Sequence, residues 1–449
     1  MVWRLALPRR PVIDQAHMIQ IWTFFSMSYL GLIAPNTPGH LNPMTALSDA
    51  LRRRGHRVTY FLLGDPPSSV TSAGFEVIPL GGTVFRPEEY RSEFQRLGGL
   101  EGRAALHQTL AIAVRSAKAI LNVGPTAVGQ AGISALIVDQ ASIPSGTVAD
   151  QLGLPFATVC NALILHSEPS VPPFFTPWLP RNAWYSRLRN RAAWAGLYRL
   201  YNPLLSLIRE KRRTLGLSVP SRIEDTWSNC LQISQQPDVF EFPRQDLPEQ
   251  FRFVGPLRLA SREPPIPFPW NRLDDGRPLI YASLGTIQNR VAQAFRMIAE
   301  ACDHLGGQLV ISTGGADPEE LGKLAGEPIV VAYAPQRELI QRATLVITHA
   351  GLNTALDSLS EGVPMVALPV TNEQPGVAAR VRWLGAGEAI ALKHATPARL
   401  RRLVVQVLSN SSYRDAARRV QDVIRDCGGA ALAAELIEQS LGLERASSS

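Results

Sequence analysis

Leu345-Val-Ile-Thr-His-Ala-Gly-Leu-Asn-Thr354 is the stretch that decides the fold. Leu345 to Thr348 is an apolar run of strand length, the glycine breaks it, and Asn353 is a residue type that caps helices. The pattern predicts a strand over Leu345 to Ile347, a turn at His349 to Gly351 and a helix over Asn353 to Glu361. The next strand is Met365 to Leu368. Strand, helix and strand in that order form a βαβ unit, and a buried parallel sheet reads as continuous apolar runs rather than alternating ones.

The same alternation extends outward in both directions. Upstream lie predicted strands Leu279 to Ser283, Gln308 to Ser312 and Ile329 to Ala332, with a helix over Val291 to Leu305. Nearer the start, Tyr29 to Ala34 reads as a strand. Pro43 to Arg54 follows as a helix with Met44, Leu47 and Leu51 on one side, Gly55 as its stop and Val58 to Leu63 as the next strand. Ala135 to Val138 and Pro155 to Cys160 are further strands around a helix ending at Leu152. Between Arg258 and Pro278 prolines accumulate and periodicity lapses, which marks a linker. The expected organisation is an extension over 1–26, an N-terminal acceptor domain over 27–257, a linker over 258–278 and a C-terminal donor-nucleotide domain over 279–449. The last helix is free to pack back on the first domain. Two doubly wound α/β domains of this kind face each other across a cleft at the carboxyl ends of their strands.

Composition narrows the class. At 449 residues the chain suits two domains, and 45% hydrophobic with 18% charged residues is globular. No apolar run reaches the ~20 residues of a membrane span. The net charge of +7 gathers in Arg181 to Arg213, interleaved with Trp184, Tyr185, Trp194, Tyr198 and Tyr201. That mixture suits a membrane surface or an apolar acceptor, or else a solvated amphipathic helix, and no nucleic-acid module accompanies it. Cys160, Cys230, Cys302 and Cys427 have no metal-ligand spacing, and reduced thiols in a cytoplasmic protein are expected. The first 26 residues resemble a signal peptide loosely; a start at Met27 is the simpler account. The phosphate loop of NTPases, the glycine fingerprint of nicotinamide enzymes and a D-x-D metal clamp are all missing from the sequence, so no cofactor or metal is expected.

An anion site without metal must use backbone N–H groups, helix dipoles and neutral side chains. Ser283-Leu-Gly-Thr286 follows a strand, where Gly285 allows close approach and Thr286 brings a hydroxyl. His349, Gly351, Asn353 and Thr354 surround a second helix start. Tyr333-Ala-Pro-Gln336, His349-Ala-Gly-Leu-Asn-Thr354, Asp357, Gly362-Val-Pro-Met365, Pro369 and Glu373-Gln374 resemble, in order and spacing, the donor signature of UDP-sugar-dependent glycosyltransferases of the GT-B fold. The resemblance implies that Tyr333, Ala334 and Gln336 line the nucleobase pocket. It assigns His349, Asn353 and Thr354, with Thr286, to the diphosphate, Asp357 to the ribose, and Glu373 with Gln374 to a glucose donor. Two positions depart from the usual pattern. Tyr333 stands where Trp is frequent, and Asp357 replaces a Glu one methylene longer, with Glu361 a helper one turn on.

Pro38-Gly-His40 follows the first strand and Asp139 ends another, Leu136-Ile-Val-Asp139. An imidazole backed by a carboxylate is suited to deprotonate an acceptor hydroxyl. The resemblance places a His–Asp pair at these positions and implies inverting displacement with UDP-glucose as donor. Pro172-Pro-Phe-Phe-Thr-Pro-Trp178 adds a likeness to bacterial zeaxanthin glucosyltransferases, implying a lipophilic acceptor met by Phe174, Phe175 and Trp178. A peripheral contact with the inner membrane face would suit such an acceptor. Macrolides, polyphenols and terpenoids remain alternative acceptors. A silent sugar-nucleotide-binding protein or a sugar-nucleotide epimerase are alternatives of another class.

Overall fold

The structure is a computed structural model that describes residues 28–82, 84–98, 100, 102–259, 266–285 and 291–443. Thr286 and the 1–26 extension fall outside the described residues.

The N-terminal half holds a seven-stranded parallel sheet in the order β3-β2-β1-β4-β5-β6-β7. Its strands are β1 (Tyr29–Ile33), β2 (Arg57–Leu62), β3 (Glu76–Pro79), β4 (Ala135–Asp139), β5 (Phe156–Cys160), β6 (Leu231–Ser234) and β7 (Phe251–Phe253). Helices α1 (Pro38–Arg53), α2 (Ser68–Thr71), α3 (Pro87–Gly98), α4 (Gly102–Gln130), α5 (Ser145–Leu152) and α6 (Trp184–Thr214) run between them. β1 is sealed on both faces, with Leu30, Leu32 and Ile33 buried. At Gly31 a methyl group would meet Leu136 Cδ2 at 2.6 Å and Phe61 Cε2 at 3.0 Å, so any side chain there would force these core side chains to repack.

The second half holds a six-stranded parallel sheet in the order β10-β9-β8-β11-β12-β13. It is built from β8 (Leu279–Ser283), β9 (Gln308–Ser312), β10 (Ile329–Val331), β11 (Ala343–Thr348), β12 (Met365–Ala367) and β13 (Gly387–Ala389). Around it lie α7 (Val291–Cys302), α8 (Gln336–Arg342), α9 (Leu352–Ser360), α10 (Gln374–Leu384), α11 (Pro397–Ser409), α12 (Ser412–Asp426) and α13 (Gly429–Leu441). α13 leaves this half. Its Ala430, Ala433, Ala434, Ile437 and Leu441 join the core of β1 and α1, and Glu438 accepts hydrogen bonds from Arg54 Nε and Nη2 at 2.7 and 2.6 Å.

Each sheet reverses its strand order once in its middle, between β1 and β4 and between β8 and β11. Helices leave opposite faces at such a point, so a crevice opens beyond the strand ends. In register, Ile33 pairs with Val138, and Thr348 with Ser283. The two reversal points present His40 and Asp139 on one side of the cleft, and Ser283 and His349 on the other.

Two helix starts differ from the sequence expectation. α1 begins at Pro38, not Pro43, so His40 lies in its first turn rather than in a loop. Either proline can start a helix, since neither needs a donor there. The earlier one wins because Thr37 is extended and its carbonyl accepts from His40 N and Leu41 N. α9 is capped by Gly351 with no side-chain hydrogen bond, so Asn353 is not the cap but the second helical residue.

Candidate active site

His40 Nδ1 lies 2.7 Å from Asp139 Oδ2. A carboxylate only accepts, so Nδ1 carries the proton and Nε2 keeps a free lone pair. Asp139 is 1% exposed and held from two further directions, by Asn161 Nδ2 at 2.7 Å on Oδ2 and by Ala141 N–H at 2.8 Å on Oδ1. Burial pulls the His40 pKa down, but the charge and hydrogen bond of Asp139, with a contribution from Glu373, outweigh it and leave the pKa raised above 6.5. Glu373 belongs to the other half of the chain. Burial raises its own pKa against the charge of His40, which sets it at the same spot in the cleft.

Beside this pair opens a cavity of about 230 Å³ between β1, α4 and α6. Ile33, Phe61, Ile112, Ile120, Trp194 and Leu197 wall it, and no charged side chain lines it. Of the three residues expected to meet the acceptor, Phe174 lines the cavity, whereas Phe175 and Trp178 do not. Phe175 packs edge-on against Phe174 at 5.4 Å, and Trp178 carries the Arg189 guanidinium 4.1 Å above its ring. The proline-rich chain here is irregular, so alternate residues do not share a face. It is pinned by its backbone, because Phe174 O sits where a side chain at Gly376 would be.

Across the cleft, the first N–H that α9 takes up internally is that of Ala355, bonded to Gly351 O, which leaves the N–H groups of the first turn for a ligand. Ala350, just ahead, is left-handed at φ 66°. His349 packs over Gly285 and Gly351, and a methyl group at either would come within 2.9 Å of its ring. Burial lowers the His349 pKa to about 4, against a hydrogen bond to the Ser283 backbone, so the ring is neutral and its Nδ1 has no protein partner. His349 therefore brings dipoles and no charge.

The remaining predicted donor residues are more committed than their sequence suggests. Asp357 Oδ1 accepts from Arg258 Nη2 at 2.6 Å and Oδ2 from Gln336 Nε2 at 2.8 Å, which fixes the carboxylate and leaves each oxygen a second lone pair for a ribose hydroxyl. Gln374 is buried, and its Oε1 accepts from Val370 N and Thr371 N at 2.8 and 3.1 Å, leaving only its amino group for a sugar. Tyr333 is 60% exposed, with its hydroxyl against Gly315, and Ala334 is buried beneath it. Thr354 is half-buried. Asn353 turns toward the first half, donating from Nδ2 to Gly39 O at 3.0 Å.

A family model for UDP-glucoronosyl and UDP-glucosyl transferase matches residues 219–429. A zeaxanthin glucosyltransferase of Pantoea ananas is 31% identical over 423 residues, covering 92% of this chain and 96% of its own. The chain belongs to the UDP-glycosyltransferase family. It is also similar to 4'-demethylrebeccamycin synthase of Lentzea aerocolonigenes, 28% identical over 91% of this chain and 98% of that one. The solved calicheamicin glycosyltransferase CalG4 superposes with a TM-score of 0.70 at 23% identity, covering 93% of this chain and 99% of that one. The enzyme is a glycosyltransferase of GT-B fold, and the family implies a UDP-sugar donor and a hydroxylated acceptor.

Four contributors to this glycosyltransferase's cleft escaped the sequence reading. Asn161 and Gln235 each follow the carboxyl end of a strand, which was a legible signal. Arg258 lies in irregular chain, and the cavity wall on α4 carries no motif, whereas Trp194, Tyr198 and Tyr201 on α6 belong to the aromatic stretch that suited an apolar acceptor. Among the described residues, no group of three or more His, Cys, Asp or Glu is placed to hold a metal ion, and no helix is long and apolar enough to cross a membrane.

Proposed function

We propose that this enzyme moves glucose from UDP-glucose to a hydroxyl of a lipophilic acceptor, a carotenoid such as zeaxanthin, with inversion at the anomeric carbon. The observation that carries the reading is the hydrogen-bonded His40–Asp139 pair beside an uncharged apolar cavity. His40 Nε2 takes the acceptor proton while Asp139 fixes the tautomer and balances the imidazolium. The departing diphosphate is met by the free N–H groups and dipole of α9 and by neutral His349, so no metal is required. Tyr333 offers an exposed ring to the base, Ala334 and Gln336 its edge, Asp357 the ribose contact, and Glu373 with the Gln374 amino group the sugar hydroxyls. A rod-shaped carotenoid would place only its hydroxylated end in a cavity of this size. The compact cavity also favours a second reading, a smaller hydrophobic aglycone that fills it entirely.

The start of α6 supports delivery from a membrane. Trp184, Tyr185 and Leu188 are 77%, 51% and 58% exposed beside exposed Arg181, Arg187 and Arg191, and Trp194 and Leu197 of the same helix wall the cavity. Aromatic and cationic side chains together suit an anionic interface, here the cytoplasmic membrane face.

Mass spectrometry of products from UDP-glucose and a panel of acceptors including zeaxanthin tests the reading. Glucosylated carotenoid is expected, undiminished by a chelator, and His40→Ala should abolish it while UDP still binds. A panel in which only a compact aglycone is glucosylated selects the second reading. Conversion of the donor sugar without any acceptor would instead reveal an epimerase. Sedimentation with phosphatidylglycerol vesicles, lost in Trp184→Ser/Leu188→Ser, tests the membrane contact.

A further inference from the structure

Pro43 sits four residues after Gly39 inside α1. A proline has no N–H, so the Gly39 carbonyl loses the donor that any other residue at 43 would supply. Gly39 is exposed, so this carbonyl is open to water as well as to a protein donor. Here the partner comes from the opposite domain, where Asn353 Nδ2 donates to Gly39 O at 3.0 Å. The other end of the same amide is also held, since Gln235 Nε2 donates to Asn353 Oδ1 at 3.0 Å and to Asn161 O at 2.6 Å. Asn161 in turn gives its side-chain amino group to Asp139, and Asp139 accepts from His40. His40 directly follows Gly39. The six residues therefore close a ring that begins and ends on the first turn of α1 and crosses the cleft through Asn353.

Two features of the ring set it apart from ordinary packing. Asn161 is 3% exposed and its Oδ1 has no partner, so its amide sits where the donor serves Asp139 at the expense of its own acceptor. A buried unsatisfied oxygen is costly, and flipping the amide would cost the Asp139 contact instead. Asn353 meanwhile points its side chain at the acceptor domain while its backbone N–H stays in the first turn of α9, at the anion site.

We propose that Pro43, Gln235 and Asn161 are positioning residues that orient the His40–Asp139 base through Asn353, so that the base is aligned only while the donor domain is docked. The proposal rests on His40 being the base. Gln235 and Asn161 act through the hydrogen bonds they make, and Pro43 acts by the one it withholds. None of the three is assigned to the donor or the acceptor, so substituting them should alter turnover more than binding.

The test compares Pro43→Ala, Gln235→Leu and His40→Ala, using kcat and acceptor KM from UDP release, UDP affinity from calorimetry, and thermal melting. Pro43→Ala keeps every side chain of the ring, and its new N–H captures Gly39 O within the helix. A single neutral hydrogen bond corresponds to about a fivefold to tenfold loss in kcat, and the two bonds removed in Gln235→Leu to roughly tenfold to fiftyfold. UDP affinity and acceptor KM should stay within about twofold, the noise of such context-dependent effects, and Pro43→Ala should melt no lower than wild type, since Ala is the better helix residue. Wild-type kcat in both variants, with His40→Ala inactive, overturns the relay. So does a parallel loss of kcat and UDP affinity, or a kcat loss matched by a lower melting temperature in both, because either marks a merely structural role. An active His40→Ala overturns the base assignment instead.

Discussion

Asp139→Asn is the most informative single change. Three donors converge on the wild-type carboxylate, His40 Nδ1 and Asn161 Nδ2 on Oδ2 and Ala141 N–H on Oδ1. Asparagine offers one oxygen and one amino group, so it must choose. With its oxygen toward His40, the amino group confronts the Ala141 N–H, and an unpaired buried donor costs about 1–3 kcal/mol. With its amino group toward His40, the oxygen keeps Ala141, and Asn161 has only to flip its amide to present the Oδ1 that now lacks a partner. The flipped Asn161 amino group then takes the partnerless place of its oxygen, but no donor confronts another donor and fewer groups are left unpaired, so the second arrangement wins. It forces the His40 proton onto Nε2, the atom that must accept the substrate proton. A histidine held in the wrong tautomer loses about 10³–10⁴ in kcat, or roughly 4–5.5 kcal/mol at the transition state. Calorimetry should find UDP affinity unchanged, since Asp139 touches no donor residue. A variant whose kcat stays within about tenfold of wild type would refute both the tautomer argument and the base assignment.

Three further outcomes follow from the same geometry. Because burial lowers the His40 pKa but Asp139 and Glu373 outweigh it and leave it raised, the acid limb of the kcat/KM profile should fall at a pH above 6.5; a limb below 6.5 contradicts this. Glu241 is buried, which raises its pKa, but Arg380 and Arg244 outweigh burial and hold it below 4.5. Its contribution is therefore present above pH 4.5 and lost as pH falls through the lower folded value; Glu241→Gln should cost about 3–5 kcal/mol at pH 7 in denaturant titration and flatten the acid dependence. Ala350 is left-handed, but its methyl group is fully buried in the core. Ala350→Gly therefore exchanges about 1–2 kcal/mol of strain for about 0.8 kcal/mol of lost burial and a looser unfolded chain, and the melting temperature should move by less than roughly 4 °C.

Continuous apolar runs such as Leu30 to Ile33 and Leu345 to Thr348 are what parallel strands need, and every strand expected from them is present within a residue or two. The helix starts were harder, because Pro38 and Pro43 are equally good start signals in sequence. What separates them is the extended backbone at Thr37, together with a partner for Gly39 O more than three hundred residues away. The donor signature gave residue types at the right spacing but not their commitments. Nothing in the pattern shows that Arg258 and Gln336 each donate to an Asp357 oxygen, since Arg258 comes from irregular chain. The cavity was legible on one side only, because Trp194, Tyr198 and Tyr201 of α6 stand out in the sequence while its walls on α4 are ordinary apolar residues.

That contrast has a physical origin. A parallel sheet fixes the carboxyl ends of its strands to within its register, so residues placed there by sequence meet in space with little further freedom. His40 and Asp139 lie 99 positions apart yet touch, because β1 and β4 are neighbours at a reversal of strand order. Residues beyond those ends are positioned by the other domain instead. Asn353 starts a helix in the second sheet, but its side chain is oriented by Gly39 and Gln235 of the first half. That side chain thus links the first turn of α9 to the first turn of α1, which carries the imidazole. On the proposed relay, base alignment depends on that contact while the α9 anion site is complete without it, so substitutions at Pro43 and Gln235 are expected to lower turnover and spare affinity.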